Sequence, residues 1–240
     1  MTYHSITHPG TRPINEDSAA CLEQDGSLCF IVADGLGGHG KGEVASQKLV
    51  EVLAQAFAMG AEDGGAFLAS AFTLAQDEIM AEQKRQNAQA EMKTTGVALT
   101  IIGGKCRWAH VGDSRLYMFR RNRVKARTLD HSVSQMLARA GDIKEKQIRF
   151  HPDRNRLLRV LGVEWDSPRF EISDEVNLAG CQAFLLCSDG FWEWIDEKRM
   201  CALLKKSASA EDWLAAMTRE VEQAGSGHEM DNYTAIAVVC

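Results

Sequence analysis

Phe30-Ile31-Val32-Ala33-Asp34-Gly35 is a short, unbroken apolar run that stops at an aspartate followed by glycine. Such a run bounded by a turn signal reads as a buried strand. The construction recurs: His110-Val111 runs into Gly112-Asp113-Ser114, and Leu185-Leu186-Cys187 runs into Ser188-Asp189-Gly190. Asp231-Asn232 introduces a final apolar run, and Asn15-Glu16-Asp17 precedes the first region of apolar character. Each Asp-Gly or Gly-Asp is, by itself, an ordinary turn. Their shared place at strand ends matters more, because strand ends distant in sequence can meet at one edge of a sheet.

Further β-like runs surround this first one, giving Leu28–Ala33, Val97–Ile102, Cys106–Val111, Leu116–Phe119, Ala183–Cys187 and Thr234–Val239, each bounded by Gly, Asp or Asn. Between them apolar residues switch to the helical period. Val44, Leu49, Val52, Leu53, Ala56 and Phe57 predict a helix over Glu43–Met59 that stops at Gly60, and Leu68, Ala71, Phe72, Ala75 and Ile79 predict one over Phe67–Gln89. Shorter helices are expected at Val133–Ala140, Glu197–Lys206 and Ala210–Ala224. The runs 97–102, 106–111 and 116–119 are too close together for helical crossovers, so these neighbours are expected to pair antiparallel. The fold class is then α+β, with sheets covered by helices.

The 240 residues, 45% hydrophobic, suffice for one sizeable core. No repeat or linker marks a boundary, so a single domain over 1–240 is expected. No apolar run reaches the roughly 18 to 20 residues of a membrane span and Met1–Ser18 lacks a secretion-type apolar core, so a cytoplasmic protein is expected. Seven scattered cysteines without C-x-x-C spacing read as reduced thiols. A net charge of −6 with no basic stripe argues against nucleic acid, and the lack of heptads argues for a monomer.

Several carboxylates converging in one cleft repel unless they are protonated or neutralised, and a divalent cation neutralises them best. Oxygen ligands without Cys or paired His select hard ions, Mg²⁺ or Mn²⁺. Glycine after Asp34 lets the Gly35 carbonyl approach an ion without a side chain in the way. Two such ions about 3.5–4 Å apart can activate a water for attack on phosphorus.

The ordered set Arg12-Pro13-Ile14-Asn15-Glu16-Asp17-Ser18, Val32-Ala33-Asp34-Gly35-Leu36-Gly37-Gly38-His39, Thr94-Thr95-Gly96, Ala109-His110-Val111-Gly112-Asp113-Ser114-Arg115, Leu129-Asp130-His131-Ser132, Leu158-Arg159-Val160-Leu161-Gly162, Cys187-Ser188-Asp189-Gly190 and Asp231-Asn232 resembles the PPM-type (protein phosphatase 2C-like) metal-dependent Ser/Thr phosphatases of compact bacterial type. The resemblance runs nearly end to end. It implies a four-layer α/β/β/α sandwich of two mainly antiparallel sheets flanked by helix pairs. It also implies hydrolysis of phosphoserine and phosphothreonine in proteins, opposing a Ser/Thr kinase. By the same resemblance Asp34, Asp189 and Asp231 are metal ligands by side chain, Gly35 by its carbonyl, and Asp17 directly or through water. Asp113 falls where a third, weaker ion binds, Glu16 belongs to the outer shell, and Arg12 matches the phosphate-binding arginine. Ala140–Leu157 corresponds to a variable flap beside the site.

Two positions depart from the family pattern. Leu36 stands where some members carry a histidine able to protonate the leaving oxygen, and His39 nearby is the substitute candidate. Lys93 replaces a small residue before the Thr94-Thr95 pair. Two other readings stay open: a phosphatase-like signalling domain without turnover, and a nucleotide-binding loop, since Gly35-Leu36-Gly37-Gly38-His39-Gly40-Lys41 fits G-x-x-x-x-G-K, although Gly42 then occupies the Ser/Thr position.

Overall fold

The computed structural model describes residues 1–37, 41–88 and 91–240. Three strands, β1 (Thr2–His8), β2 (Asp17–Gln24) and β3 (Ser27–Leu36), lead into two long helices, α1 (Lys41–Ala58) and α2 (Gly64–Gln86). A run of strands follows: β4 (Lys93–Thr94), β5 (Gly96–Ile102), β6 (Lys105–Val111), β7 (Arg115–Arg120) and β8 (Arg123–Arg127). Helix α3 (Val133–Ala140) and a 3₁₀ turn (Glu145–Phe150) precede the short strands β9 (Glu171–Ile172) and β10 (Val176–Asn177). Then come β11 (Ala183–Cys187), the one-turn helix α4 (Asp189–Trp192), α5 (Glu197–Leu204), α6 (Ala210–Gly225) and β12 (Tyr233–Val239).

The strands form two sheets, one ordered β1-β12-β11-β7-β8 and the other β10-β6-β5-β3-β2, with β4 on β3 and β9 on β6. Every pairing described is antiparallel. This leaves no place for the alternating parallel β/α order of a nucleotide-binding fold. Lys41, moreover, donates to Gln86 Oε1 at 2.5 Å.

The unbroken apolar runs arise because the central strands are buried on both faces. Along β3, Phe30 and Val32 point between the sheets with Val97, Leu99, Leu116, Phe184, Leu186 and Ile236. The alternate residues Cys29, Ile31 and Ala33 point at α1 and α2, meeting Leu49, Leu53 and Phe72. On the opposite side Tyr117, Leu185, Ala235 and Ala237 pack against Trp213 and Met217 of α6. Period-two alternation between three apolar layers therefore builds the four-layer sandwich.

One expected pairing is corrected. β5 and β6 do form a hairpin, but β7 does not continue it: it joins β8 and β11 in the other sheet. Gly112, at φ 94°, turns the chain across the sandwich, and Leu116 then packs from the second sheet into the layer between them. The expected helices over 43–59 and 67–89 each begin earlier in the chain than predicted.

Candidate active site

The predicted aspartates come to one edge of the sandwich. Asp34 lies inside β3, directly opposite Asp17 at the start of β2. At Asp34 the strand changes partners, from β5 up to Val32 to β4 from Gly35 onward. Thr95 ties this switch down: its Oγ1 accepts from the Asp34 N–H at 3.1 Å, and its own N–H donates to the Asp34 carbonyl at 2.8 Å. Asp113 occupies the crossing from β6 to β7, Asp189 opens α4 just beyond β11, and Asp231 precedes β12.

A cavity of about 460 Å³ opens among them, lined by Arg12, Glu16, Asp34, Gly35, Asp113, Asp189 and Asp231, with Leu36, Asn155 and Leu157 on one side. Asp17 sits beneath it, where Ser188 Oγ donates to its Oδ2 at 2.8 Å. Gly35 and Gly190 are required by space, since a Cβ on Gly35 would lie 2.3 Å from the Gly42 carbonyl and one on Gly190 2.1 Å from that of Asn232. Asn232 locks the N-terminal approach: its amide donates to the carbonyls of Pro9 and Ile14, and its Oδ1 accepts from the Glu16 N–H at 2.8 Å.

The electrostatics are those of crowded carboxylates. Burial pushes the Asp34 carboxyl well above its ordinary range, and repulsion from Asp17, Asp189, Asp113 and Asp231 adds to this. Asp189 is raised likewise by burial and then by Asp113 and Glu193. Asp17 is pushed to about 7 by burial despite hydrogen bonds from Thr234 and Ser188. Asp113 also reaches about 7 through burial and its neighbour Asp130, with Arg115 opposing. Glu16 is raised by burial, although the Gly42 and Glu43 N–H groups at the start of α1 pull it back. Glu16 Oε1 and Asp17 Oδ1 are buried without any hydrogen-bond donor. Buried oxygens without donors, among like charges, suit divalent cations. The cationic side chain lining this cavity is Arg12, whose Nη2 lies 3.0 Å from Asp231 Oδ2.

His39 lies outside the described residues. Leu36 lines the cavity where a histidine was sought. The thiols of Cys29 and Cys187 are fully buried and raised by that burial, which removes them as nucleophiles.

Arg115, Asp130 and His131 belong to the sequence motifs, but their task is visible only in three dimensions. In the fold they hold the Asp113 turn. Arg115 makes a buried two-pronged pair with Asp130 (Nε–Oδ1 2.8 Å, Nη2–Oδ2 2.6 Å) and stacks on Trp192, 3.3 Å from the ring centroid. Trp192 Nε1 donates to the Asp113 carbonyl at 3.0 Å. His131 exchanges bonds with Gly112, donating its N–H to the carbonyl at 2.8 Å and accepting the Gly112 N–H on Nδ1 at 3.2 Å. Burial first, and His110 next, lower the His131 pKa to about 4 and keep it a neutral acceptor. His110, His131 and Glu171 bring possible ligand atoms within 4.8 Å of one another; His131 Nδ1 and His110 Nε2 are engaged with the Gly112 N–H and the Leu129 carbonyl, while His131 Nε2 lies 3.2 Å from Glu171 Oε1. The signal that could have found this buttress is Arg115 itself, a charge placed at the head of an otherwise apolar strand.

The segment 145–157 is pinned to the stretch after Asp189. Arg149 donates to the carbonyls of Trp192 and Ile195, both at 2.8 Å, and pairs with Glu197, while Arg154 Nε lies 2.5 Å from Glu193 Oε1. These anchors present Asn155 and Leu157 to the cavity.

Comparison with known proteins agrees with this geometry. Residues 7–233 match the protein phosphatase 2C family profile. The serine/threonine phosphatase stp of Listeria welshimeri is 32% identical over 231 residues, covering 93% of this chain and 89% of that protein. The crystal structure of the serine/threonine phosphatase Stp1 from Staphylococcus aureus superposes with a TM-score of 0.87 at 26% identity, covering all of this chain and 95% of the other. The catalytic domain of the serine threonine protein phosphatase PstP, solved in complex with two manganese ions, superposes with a TM-score of 0.80 at 25% identity over 98% of this chain and 96% of that one.

Proposed function

The chain belongs to the protein phosphatase 2C family of serine/threonine phosphatases, and we propose that its acidic cavity hydrolyses phosphoserine and phosphothreonine in proteins with the help of divalent cations, opposing a Ser/Thr kinase. The observation that carries the reading is the convergence of four aspartates and Glu16 on one cavity with Asp17 beneath it, and with buried, donor-less oxygens on Glu16 and Asp17. Asp34, Asp189 and Asp231 would hold two Mg²⁺ or Mn²⁺ ions by side chain, Gly35 by its carbonyl, and Asp17 directly or through water. Asp113 and Asp189 would share a weaker third ion. When bound, such ions supply a nucleophilic water at neutral pH and offset the charge of the phosphoryl oxygens.

The chain's own residues do the positioning. Arg12 stands exposed at the mouth of the cavity, and its planar guanidinium can turn from Asp231 to grip two phosphate oxygens while remaining charged. Ser188 fixes one oxygen of Asp17 and leaves the other free. Glu16, held at the start of α1, keeps Oε1 available to accept from a water in the cavity. Leu36 and Leu157 exclude bulk water from one wall.

The decisive test is phosphate release from a phosphothreonine peptide with Mn²⁺ or Mg²⁺. Release that stops on chelation, and falls by about two to three orders of magnitude or more in Asp34→Asn or Asp189→Asn, is the expected result, on the scale of losing a charge-stabilising group. No hydrolysis under any metal condition would favour the signalling-domain reading.

A further inference from the structure

Beside the catalytic cavity lies a second one of about 410 Å³, and the two share Leu36, Asn155 and Leu157 as a common wall. We propose that this neighbouring groove binds the polypeptide flanking the phosphorylated residue and selects substrates that carry an acidic side chain close to it, alongside an apolar one. The inference rests on the phosphatase reading above and names the substrate class for that site.

The charge of the two cavities is opposite. The catalytic one is lined by five carboxylates, four of aspartate and that of Glu16, facing one arginine, whereas the groove is lined by Lys93, Arg159 and Arg169 with no carboxylate. Arg159 is already paired, its Nη1 3.2 Å from Glu171 Oε1. Among the described residues no ion pair involves Lys93 or Arg169, so two cations face the groove without a protein counter-charge. Of the acidic residues near in sequence, Glu164 and Asp166 line a different cavity with Thr73, Gln76 and Asp77, Glu171 is the partner of Arg159, and neither Glu171 nor Glu91 lines the groove. The rest of the groove wall is apolar, with Trp165, Val160 and the exposed Leu158. Apolar walls with separated cations fit an extended peptide bearing one carboxylate and one hydrophobic side chain.

The two departures from the family pattern meet here. Leu36 and Lys93 are directly opposed strand partners where β3 pairs with β4, so their side chains share one face of the ribbon. Leu36 forms part of the wall between the cavities, and Lys93 faces only the second of them. An extended chain advances about 3.3–3.6 Å per residue, so a carboxylate only a few residues from the phosphoresidue reaches this neighbouring space.

The experiment compares kcat/KM, with Mn²⁺, for phosphothreonine peptides identical except for Glu, Gln or Lys placed at successive flanking positions, with p-nitrophenyl phosphate as the substrate too small to reach the groove. At the best position the Glu peptide should exceed the Lys peptide roughly tenfold, the scale of two exposed charge contacts. The preference should shrink in 1 M KCl, where the screening length falls to about 3 Å. The Glu-to-Lys ratio should approach one in Lys93→Ala/Arg169→Ala and invert in Lys93→Glu/Arg169→Glu. The comparison within the wild-type protein needs no variant to fold. Equal rates at every position, or a preference for Lys, would overturn the groove while leaving the phosphatase reading intact. No phosphate release from any peptide or from p-nitrophenyl phosphate would overturn both.

Discussion

Asp34 and Asp189 are in a costly position when no cation is present: each is only partly exposed, at the cavity wall, and surrounded by carboxylates. The sign of the resulting pH dependence follows from proton counting. Asp17 and Asp113, at about 7 in the folded protein, keep protons that the unfolded chain loses near pH 4. The stabilisation they contribute is therefore present at low pH and lost as pH rises toward 7. Chelator-treated protein should show a melting temperature that falls between pH 5 and pH 7.5 from this cause, and saturating Mg²⁺ should flatten the slope. A metal-free melting temperature independent of pH across that window would count against the crowding. Asp189→Asn removes one crowded charge at nearly constant volume. It should raise metal-free stability at pH 7.5 by on the order of 1–2 kcal/mol while abolishing turnover. Chemical denaturation with chelator present, read beside the activity assay, checks both halves.

At the level of elements, the turn between β6 and β7 shows how the site is held. Trp192 joins it from α4, with its ring against Arg115 and its Nε1 on the Asp113 carbonyl. Trp192→Phe should cost about 1–3 kcal/mol for the unsatisfied carbonyl and lost stacking, and should weaken activation by added metal more than it changes KM for peptide. Arg115→Met leaves the buried Asp130 with only its longer contact to Arg127, Nη1–Oδ1 3.3 Å, and should cost about 3 kcal/mol, part of it recovered in Arg115→Met/Asp130→Leu. Thermal melts of the two variants decide that prediction. The same elements show what could be read from sequence. The central strands were legible because both faces are buried, which turns 30–33 and 185–187 into continuous apolar runs that end at the site. β1 and β8 lie at sheet edges, where Thr2–His8 is exposed along most of its length and Arg123–Arg127 has no fully buried residue, so no apolar signal announced them. β2 is half-buried over Ser18–Leu22 and carries only a weak signal. The change of sheet at Gly112 was illegible for another reason: a short connection between two strands looks the same whether it closes a hairpin or crosses a sandwich. The aspartates could be recognised by residue type and position, whereas the Arg115–Asp130–Trp192 buttress depends on three segments meeting in space.

Across the whole molecule the aspartates are divided between the two sheets. Asp17 and Asp34 belong to β2 and β3 of one sheet, Asp189 and Asp231 flank β11 and β12 of the other, and Asp113 lies on the chain that crosses between them. Cations held by this set would staple the sandwich at its open edge, and a ligand that binds only the folded state stabilises it by mass action. At a free metal concentration about 100 times the dissociation constant the gain is about 2.7 kcal/mol. For a chain of this size that corresponds to a rise of roughly 5–10 °C in melting temperature. The staple makes a sharper demand than stabilisation alone, because removing a ligand from either sheet should reduce the shift. Asp34→Asn from one sheet and Asp231→Asn from the other should each lose most of the Mn²⁺-induced rise, and the double variant should lose little more than either single one, since the two act on a shared site. Melting curves with and without Mn²⁺ for the wild type, the two single variants and the double variant close the cycle. Independent, additive losses would mean that each sheet holds its own ion, and the description of one centre bridging both would have to be abandoned.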